Sequence, residues 1–497
     1  MSTSAVLTLD QGTTGSRAIV VARDGRVLGA SSSEFTQYFP KPGWVEHDAA
    51  EIREVTLRVA REAIAASRDR EPVAIEGIGI TNQRETLVVW DRETGEPVHR
   101  AIVWQDRRTA PLCRRLKEEG REEEIRRRTG LVLDPYFSGT KLTWLLSEVP
   151  GLRKRAEAGE LACGTIDSWL IYILTAGRTH ATDPTNASRT LLYGLESGTW
   201  EDGLLEVFGV PRSMLPEVRP SSGYFGNASG EVLGIEPPIA GVAGDQQAAL
   251  FGQGCWAAGM AKNTYGTGAF LLLNTGDEAV LSRHGLLTTV ACGPRGERAF
   301  ALEGSVFIAG AAIQWLRDGL GLLKSAAESE AMAASLSGND GVYFVPAFVG
   351  LGAPYWDPEA RGAILGLTRG TTKAHMVRAA LEAMAFSTAE VLHAMEADSG
   401  IPITQLRVDG GVSGNDWLMS FQAGILDVSV RRPANVETTA FGAAGLAGLH
   451  VGLWKSGEEF LAAQGEARIF SPEMGKKERE ALRGDWGRAV RATRNFV

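Results

Sequence analysis

Three glycine-rich turns in the sequence have residue types that can hold a phosphate group. They are Asp10-Gln-Gly-Thr-Thr-Gly-Ser-Arg17, Tyr265-Gly-Thr-Gly268 and Asp409-Gly-Gly-Val-Ser-Gly-Asn415. Each turn follows a predicted strand, and its glycines let backbone N–H groups approach an anion closely. In the first turn, hydroxyls and a guanidinium add donors, and Asp10 could face a hydrated metal ion. On that turn alone, an ordinary hairpin loop is an equally good interpretation.

Two polar clusters interrupt segments that are otherwise apolar. Arg84 and Glu85 lie between two predicted strands, and Gly244-Asp245-Gln246-Gln247 lies between a strand of small residues and the start of a helix. Together they offer both charges and amide groups for a polar ligand. Each cluster has an ordinary alternative, a solvated strand end for the first and a helix cap for the second.

Composition and motif searches exclude several classes of protein. With 51 Lys and Arg against 60 Asp and Glu, the net charge is −9, so no nucleic-acid partner is expected. Neither Gly-x4-Gly-Lys-Ser/Thr nor Gly-x-Gly-x-x-Gly after a strand occurs, which disfavours a P-loop ATPase and a Rossmann dehydrogenase. The four cysteines form no close pair, so neither a disulfide framework nor a zinc site is predicted. Without a basic leader or a long apolar run, we expect a cytoplasmic protein that is not membrane-embedded.

The elements that position the turns alternate between strand and helix, which is typical of a mixed α/β fold. Helices are predicted over 49–67, 111–128, 140–148 and 373–395, with another helix beginning at 304–315. The strand, Gly-Thr-Gly turn and strand of residues 260–274 repeat the opening pattern, so a second copy of the fold is expected to begin near residue 251. A chain of 497 residues favours two domains, which we place at 1–250 and 251–497.

Five segments together resemble the FGGY family of carbohydrate kinases. They are Asp10 to Thr14, Thr81-Asn-Gln-Arg-Glu-Thr86, Gly244 to Gln247, Tyr265 to Gly268 and Asp409 to Asn415. The similarity covers the chain to about Trp454 and is strongest to members that phosphorylate glycerol. It implies an α/β fold of two actin-like (RNase H-like) domains with a cleft between them for ATP and substrate. The first domain would bind glycerol and phosphate, and the second would bind the nucleotide.

The resemblance implies a nucleotide site shared by the two halves, with Mg²⁺ held near Asp10 through water. Gly15 stands where relatives often have serine, so this residue can offer only its backbone N–H. The implied nucleotide-binding residues are Thr13, Thr14, Gly15 and Arg17 from the first half, and Thr267, Gly310, Gln314, Gly411 and Asn415 from the second.

The resemblance also implies a site for glycerol in which Asp245 is the general base. Donors and acceptors around a short carbon chain suit a triol, and aromatic faces can cover its C–H edges. Asp245 would accept the proton of the hydroxyl that attacks the γ-phosphorus in line, giving sn-glycerol 3-phosphate. The implied acceptor-binding residues are Arg84, Glu85, Trp104, Tyr136, Asp245, Gln246 and Phe270.

Two alternatives stay open at this point. One is another kinase of the same family, acting on xylulose, gluconate or a longer polyol. The other is an actin-like filament or chaperone ATPase, which would share the nucleotide cleft but bind no small acceptor. The set of Arg84, Glu85, Asp245 and Gln246 favours a kinase over the second alternative. The resemblance further implies a homodimer or a homotetramer.

Overall fold

The structure is a computed structural model that describes residues 2–496. The first half of the chain alternates strands and helices around one large sheet, with a 3₁₀ turn at Arg212–Met214. Its strands are β1 (Thr3–Gln11), β2 (Gly15–Ala22), β3 (Val27–Glu34), β4 (Gln37–Tyr38), β5 (Glu46–His47), β6 (Val73–Asn82), β7 (Leu87–Asp91), β8 (Ala101–Ile102), β9 (Leu161–Thr165), β10 (Ala181–Thr182), β11 (Glu217–Val218) and β12 (Ile239–Gly244). Its helices are α1 (Ala49–Arg70), α2 (Ala110–Glu118), α3 (Glu122–Thr129), α4 (Ser138–Glu148), α5 (Leu152–Glu157), α6 (Ile166–Leu174), α7 (Pro184–Ala187), α8 (Asp202–Phe208), α9 (Gly230–Leu233) and α10 (Asp245–Gly252).

The second half has the same alternation and a 3₁₀ turn at Gly411–Gly414. Its strands are β13 (Met260–Tyr265), β14 (Ala269–Gly276), β15 (Leu287–Cys292), β16 (Arg298–Val306), β17 (Tyr343–Val345), β18 (Ala363–Leu365), β19 (Gln405–Asp409), β20 (Ser429–Arg432) and β21 (Arg468–Phe470). Its helices are α11 (Gly310–Asp318), α12 (Glu328–Ala334), α13 (Lys373–Ser399), α14 (Asp416–Leu426), α15 (Thr438–His450), α16 (Gly457–Ala463) and α17 (Lys476–Arg494).

The two large sheets share one strand order. In the first, β3, β2 and β1 form an antiparallel meander, and β6 and β12 continue the sheet parallel to β1. In the second, β16, β14 and β13 form the meander, and β19 and β20 continue it parallel to β13. Strands β15 and β21 extend the second sheet at its edges. This duplicated topology agrees with the repeat that the sequence predicts, and the α/β prediction is confirmed.

Glycines allow helix α15 of the second half to pack closely against two elements of the first half, strand β6 and helix α10. A Cβ at Gly442 would lie 1.8 Å from the Ala248 carbonyl oxygen in α10, and a Cβ at Gly79 in β6 would lie 2.3 Å from the Ala443 oxygen. Only glycine permits this approach of backbone to backbone. The two halves are therefore packed directly against each other through α10 and α15.

A smaller sheet in the order β4, β5, β8, β7 and β9 extends the first half; Trp104 follows its strand β8, and Tyr136 precedes helix α4. The smaller sheet covers a separate apolar cluster in which Leu87, Ile102 and Phe137 are buried. Among the described residues, no helix combines the length and apolarity needed to cross a membrane.

Two predicted helices are wrong in detail. The helix predicted over 111–128 is divided into α2 and α3 by Gly120, whose φ of +75° ends the first of them. The predicted helix start at Gly304 and Ser305 is instead the end of strand β16, and α11 begins at Gly310. Residues 299–302 of β16 form a short, buried apolar run, and periodicity alone cannot assign such a run to strand or helix.

Candidate active site

The turn between β1 and β2 presents hydroxyls and backbone groups at the end of the first sheet. The Gly12 N–H donates to the Gly15 carbonyl at 2.9 Å, which closes the turn. Thr14 is exposed, and Thr13 is half-buried; the hydroxyl of Thr13 accepts a hydrogen bond from Trp104 Nε1 at 3.0 Å. A Cβ at Gly15 would lie 2.8 Å from the Ser33 carbonyl oxygen. This turn therefore has a fixed backbone and a direct hydrogen bond to Trp104, which is predicted to bind the acceptor.

Three loops of the second half meet at the corresponding end of its sheet. The turn after β13 is closed by the Gly266 N–H on the Gly268 carbonyl at 2.8 Å, and Gly310 at the start of α11 donates to Gly266 at 3.0 Å. A Cβ at Gly310 would lie 2.6 Å from the Gly266 oxygen, and a Cβ at Gly410 would lie 2.2 Å from the Tyr265 oxygen. Gly410 also has a φ of +81°. The structure thus brings together the three segments predicted to bind nucleotide in this half.

The predicted nucleotide-binding side chains of the second half differ in what they already contact. Thr267, Gln314 and Gly411 are exposed. The Asn415 side chain accepts a hydrogen bond from the Leu418 N–H at 2.9 Å and so caps α14. Asn415 therefore stabilises the start of α14, in addition to any contact with a ligand.

Asp10 at the end of β1 lies among charges from both halves. Burial and the nearby charge of Asp245 raise the pKa of Asp10 to about 7, although Arg17 acts in the opposite direction. Arg17 forms an ion pair with Glu437, which precedes α15 in the second half, and both side chains are partly exposed. The carboxylates of Asp10 and Asp245 thus lie near each other, beside the turn that is predicted to bind phosphate.

Arg84 is the centre of a buried cluster at the end of β6. Its Nε lies 3.2 Å from Asp245 Oδ1, and its Nη1 donates to Gln247 Oε1 at 3.2 Å. A Cβ at Gly244 would lie 2.7 Å from Arg84 Cδ, so glycine at the end of β12 leaves space for this side chain. Asp245 begins α10, and its Oδ1 also accepts the Gln246 N–H at 2.7 Å.

Glu85 is held in a left-handed backbone conformation, with a φ of 62°. This conformation is uncommon for a residue with a side chain and persists only where neighbours fix it. Its carbonyl accepts a hydrogen bond from Ser138 Oγ at 2.9 Å, and its carboxylate Oε1 accepts one from Arg189 Nε at 2.6 Å. The unusual backbone directs the carboxylate into the buried cluster with Arg84.

The remaining predicted acceptor-binding residues surround this cluster. The rings of Trp104 and Tyr136 pack edge to face with centroids 5.6 Å apart. Lys262 Nζ donates to Gln246 Oε1 and, at 3.3 Å, to the Phe270 carbonyl, which connects Gln246 to strand β14. The predicted residues from both halves therefore converge on one region.

The residues around Asp10 fit a magnesium ion that arrives with a nucleotide. In residues 2–496 no group of three or more His, Cys, Asp and Glu side chains could hold a metal ion. Mg²⁺ is usually bound by one or two carboxylates together with waters and substrate phosphates. The raised pKa of Asp10 beside Asp245 is consistent with two carboxylates that a cation would stabilise.

Sequence reasoning missed three buried charged residues of the site, Arg189, Lys262 and Glu303. Lys262 and Glu303 lie inside strands β13 and β16, and Arg189 follows the short helix α7. All three side chains are at most 2% exposed. The available signal was a single charge inside an apolar strand, since such a charge is buried only when it is paired.

Two family models and several curated proteins match this chain over most of its length. Residues 5–252 match the FGGY family of carbohydrate kinases, N-terminal domain, and residues 261–451 match its C-terminal domain. A glycerol kinase from Oceanobacillus iheyensis is 57% identical over 497 residues, covering 100% of this chain and 99% of that protein. A glycerol kinase from Deinococcus radiodurans is 57% identical over 491 residues, covering 99% of this chain and 98% of that protein.

Solved structures give the same result for the fold. The crystal structure of Plasmodium falciparum glycerol kinase with ADP has a TM-score of 0.94 and 36% identity, and it covers 99% of this chain and 98% of that chain. A gluconate kinase from Lactobacillus acidophilus has a TM-score of 0.88 at 21% identity, with 99% of each chain covered. On these matches over both halves, the chain belongs to the FGGY family of carbohydrate kinases.

Proposed function

We propose that the protein transfers the γ-phosphoryl group of ATP to glycerol and releases sn-glycerol 3-phosphate and ADP. The observation that carries this proposal is the contact between Arg84 and Asp245, beside the buried carboxylates of Glu85 and Glu303. The full-length similarity to glycerol kinases supports the choice of acceptor.

Asp245 is the general base in this proposal. Both contacts that its carboxylate makes, with Arg84 Nε and with the Gln246 N–H, go to Oδ1. Among the described residues no hydrogen bond reaches Oδ2, which leaves this oxygen to accept the proton of the attacking hydroxyl. Arg84 and Glu85 bind the other hydroxyls, and Trp104, Tyr136 and Phe270 cover the carbon chain.

The glycine-rich turns hold the nucleotide in this proposal. Thr13, Thr14, Gly15 and Arg17 bind phosphate from the first half, and the second half contributes Thr267, Gly310, Gln314, Gly411 and Asn415. Asp10 would hold Mg²⁺, which when bound offsets phosphate charge. Arg17 and Thr267 stabilise the charge on the transferred group.

A coupled assay of ADP release with glycerol, dihydroxyacetone, xylulose and gluconate tests the acceptor. We expect the highest kcat/KM with glycerol, and acceptor-dependent ADP release that is about a thousandfold slower in an Asp245→Asn control. A higher kcat/KM with a sugar would favour another member of the family. The solved gluconate and xylulose kinases share the fold at 21% identity, so they do not bear on this choice.

We further propose a division into domains at residues 250 and 251, and a cytoplasmic homodimer or homotetramer. The change from the first sheet to the second between β12 and β13 supports the division. The acidic net charge of −9 supports a dissolved protein. Light scattering at low protein concentration measures the assembly, and a monomer there would contradict it.

A further inference from the structure

Four buried charges of alternating sign form a closed cluster at the acceptor end of the cleft. Glu303 Oε1 accepts hydrogen bonds from Arg84 Nη2 at 3.0 Å and from Arg189 Nη2 at 2.8 Å, and Glu85 Oε1 accepts one from Arg189 Nε at 2.6 Å. Glu303 Oε2 binds the remaining nitrogen of the Arg84 fork, Nη1. We call Arg84, Glu85, Arg189 and Glu303 the charge cluster.

The charge cluster joins the two halves of the chain. Arg84 and Glu85 follow β6, and Arg189 follows α7, all in the first half. Glu303 lies in β16 of the second sheet, opposite Leu272 of β14. The second half therefore contributes one anion to a group of side chains that otherwise comes from the first half.

Glu303 limits how Arg84 can contact the base. Because Glu303 binds both Nη atoms of Arg84, only Nε faces Asp245. An arginine released from Glu303 could turn its fork onto Asp245 and bind both carboxylate oxygens, as such pairs commonly do. That pairing would occupy the oxygen that the acceptor hydroxyl needs.

Arg189 restricts Glu85 in a similar way, because it binds only one of the two carboxylate oxygens. It binds Oε1 of Glu85, whereas Arg84 Nε lies 3.8 Å from that carboxylate. Among the described residues no hydrogen bond reaches Glu85 Oε2. Arg189 thus holds Glu85 through one oxygen and leaves the other open. One nitrogen of Arg189, Nη1, is buried without a partner in the described chain, so its bonds to the protein all go to the two carboxylates.

The negative charge of Glu303 is stable at ordinary pH. Burial would raise the pKa of Glu303, but the guanidinium groups of Arg189 and Arg84 lower it to about 2. Glu303 is therefore ionised whenever the protein is folded near neutral pH. A permanent anion at this place keeps both guanidinium groups fixed between carboxylates.

We propose that Glu303 and Arg189 are positioning residues of the acceptor site, which hold Arg84 and Glu85 so that Asp245 Oδ2 and Glu85 Oε2 stay open to acceptor hydroxyls. Neither residue needs to touch the acceptor. This inference rests on the proposed function, because glycerol is the acceptor used to test it.

Steady-state kinetics of Glu303→Gln tests the proposal. We expect kcat/KM for glycerol to fall about 100-fold, divided between a higher KM for glycerol and a lower kcat, because a buried arginine fork loses its anion. The KM for ATP should change by less than about twofold. Glu303→Asp, which keeps the charge, should recover at least part of the loss.

The control is Glu382→Gln, which removes an equally buried anion that pairs with Arg378 in α13. We expect native kinetics from this variant. Arg189→Lys is the second test, since it keeps the charge but cannot reach Glu85 and Glu303 with a fork. It should raise the KM for glycerol about tenfold.

Three results would overturn the proposal: a folded Glu303→Gln protein with glycerol kinetics within about threefold of native, an equal loss in Glu382→Gln, or no effect of Arg189→Lys. If Glu303→Gln does not fold, as judged by ADP binding and circular dichroism, Arg189→Lys decides alone. Failure of the native protein to phosphorylate glycerol would instead contradict the proposed function, and the same variants would then be compared with the polyol that it does phosphorylate.

Discussion

The proposed acceptor end of the cleft, around Arg84 and Glu303, and its proposed phosphate end, around Arg17 and Glu437, are built in different ways. At the acceptor end, the side chains of Arg84 and Glu303 are 2% exposed and their charges are paired within the protein. At the phosphate end, the side chains of Arg17 and Glu437 are 37% and 42% exposed, and most other groups are backbone or hydroxyl. The buried charges of the acceptor end are thus paired before a ligand arrives, whereas the phosphate end receives a ligand that brings its own charge.

The largest effect is expected from Asp245→Asn, which tests whether the acceptor end performs the proton transfer. The amide cannot accept the proton of the attacking hydroxyl, so kcat should fall about a thousandfold while ADP affinity is unchanged. Rapid-quench kinetics and calorimetry with ADP measure the two quantities. A parallel loss of ADP affinity would mean that the two ends are not separable.

Arg17→Gln tests the phosphate end by itself. Without the guanidinium, charge on the transferred phosphoryl group is less stabilised, and kcat should fall about 100-fold. The KM for glycerol should stay within about twofold of native. Arg23→Gln is the matched control, because Arg23 is a partly exposed arginine paired with Glu459 in the second half. A loss in glycerol binding equal to the loss in kcat would contradict the comparison.

The pH dependence should also separate the two ends. Because the pKa of Asp10 is raised to about 7, kcat/KM for Mg-ATP should fall about tenfold per pH unit below pH 7. The affinity for glycerol, measured by calorimetry, should not decrease over the same pH range. An equal decline in glycerol affinity between pH 8 and pH 6 would count against the assignment to Asp10.

The pH dependence of protein stability is a second way to measure the raised pKa of Asp10. A carboxyl whose folded-state pKa lies above its unfolded value binds more protons when folded, so stability is lost as pH rises from about 4 to about 7. Asp10→Asn should therefore raise Tm by about 2 °C at pH 8 and have little effect at pH 4. A lower Tm at pH 8 would show that the ionised carboxylate stabilises the protein.

The smallest effect is expected from Glu437→Gln. This carboxylate pairs with Arg17 and repels a triphosphate, so its removal should lower the KM for ATP about threefold at low salt, with a smaller change at high salt. Glu459→Gln, at the other partly exposed pair between the halves, should leave the KM for ATP unchanged. A higher KM for ATP in Glu437→Gln would mean that the ion pair supports nucleotide binding.

Local patterns in the sequence were sufficient for much of this description. Glycines directly after strands predicted the turns at Gly12 and Gly266, because a tight turn and a close approach to an anion both require glycine whatever the rest of the fold does. The repeat of that pattern predicted the duplicated α/β topology. The family motifs predicted Arg84 and Asp245, which the structure places 3.2 Å apart.

Only the tertiary structure decided which buried charges surround those residues. Glu303 is 219 positions from Arg84 in sequence and lies in a strand that resembles ordinary apolar core, so no local pattern reveals its partners. The register of β16 with β14 and the packing of one half on the other set those contacts. The physical reason is that a turn is specified by the backbone freedom of a few neighbouring residues, whereas an ion pair within the core exists only once distant strands exclude water around it.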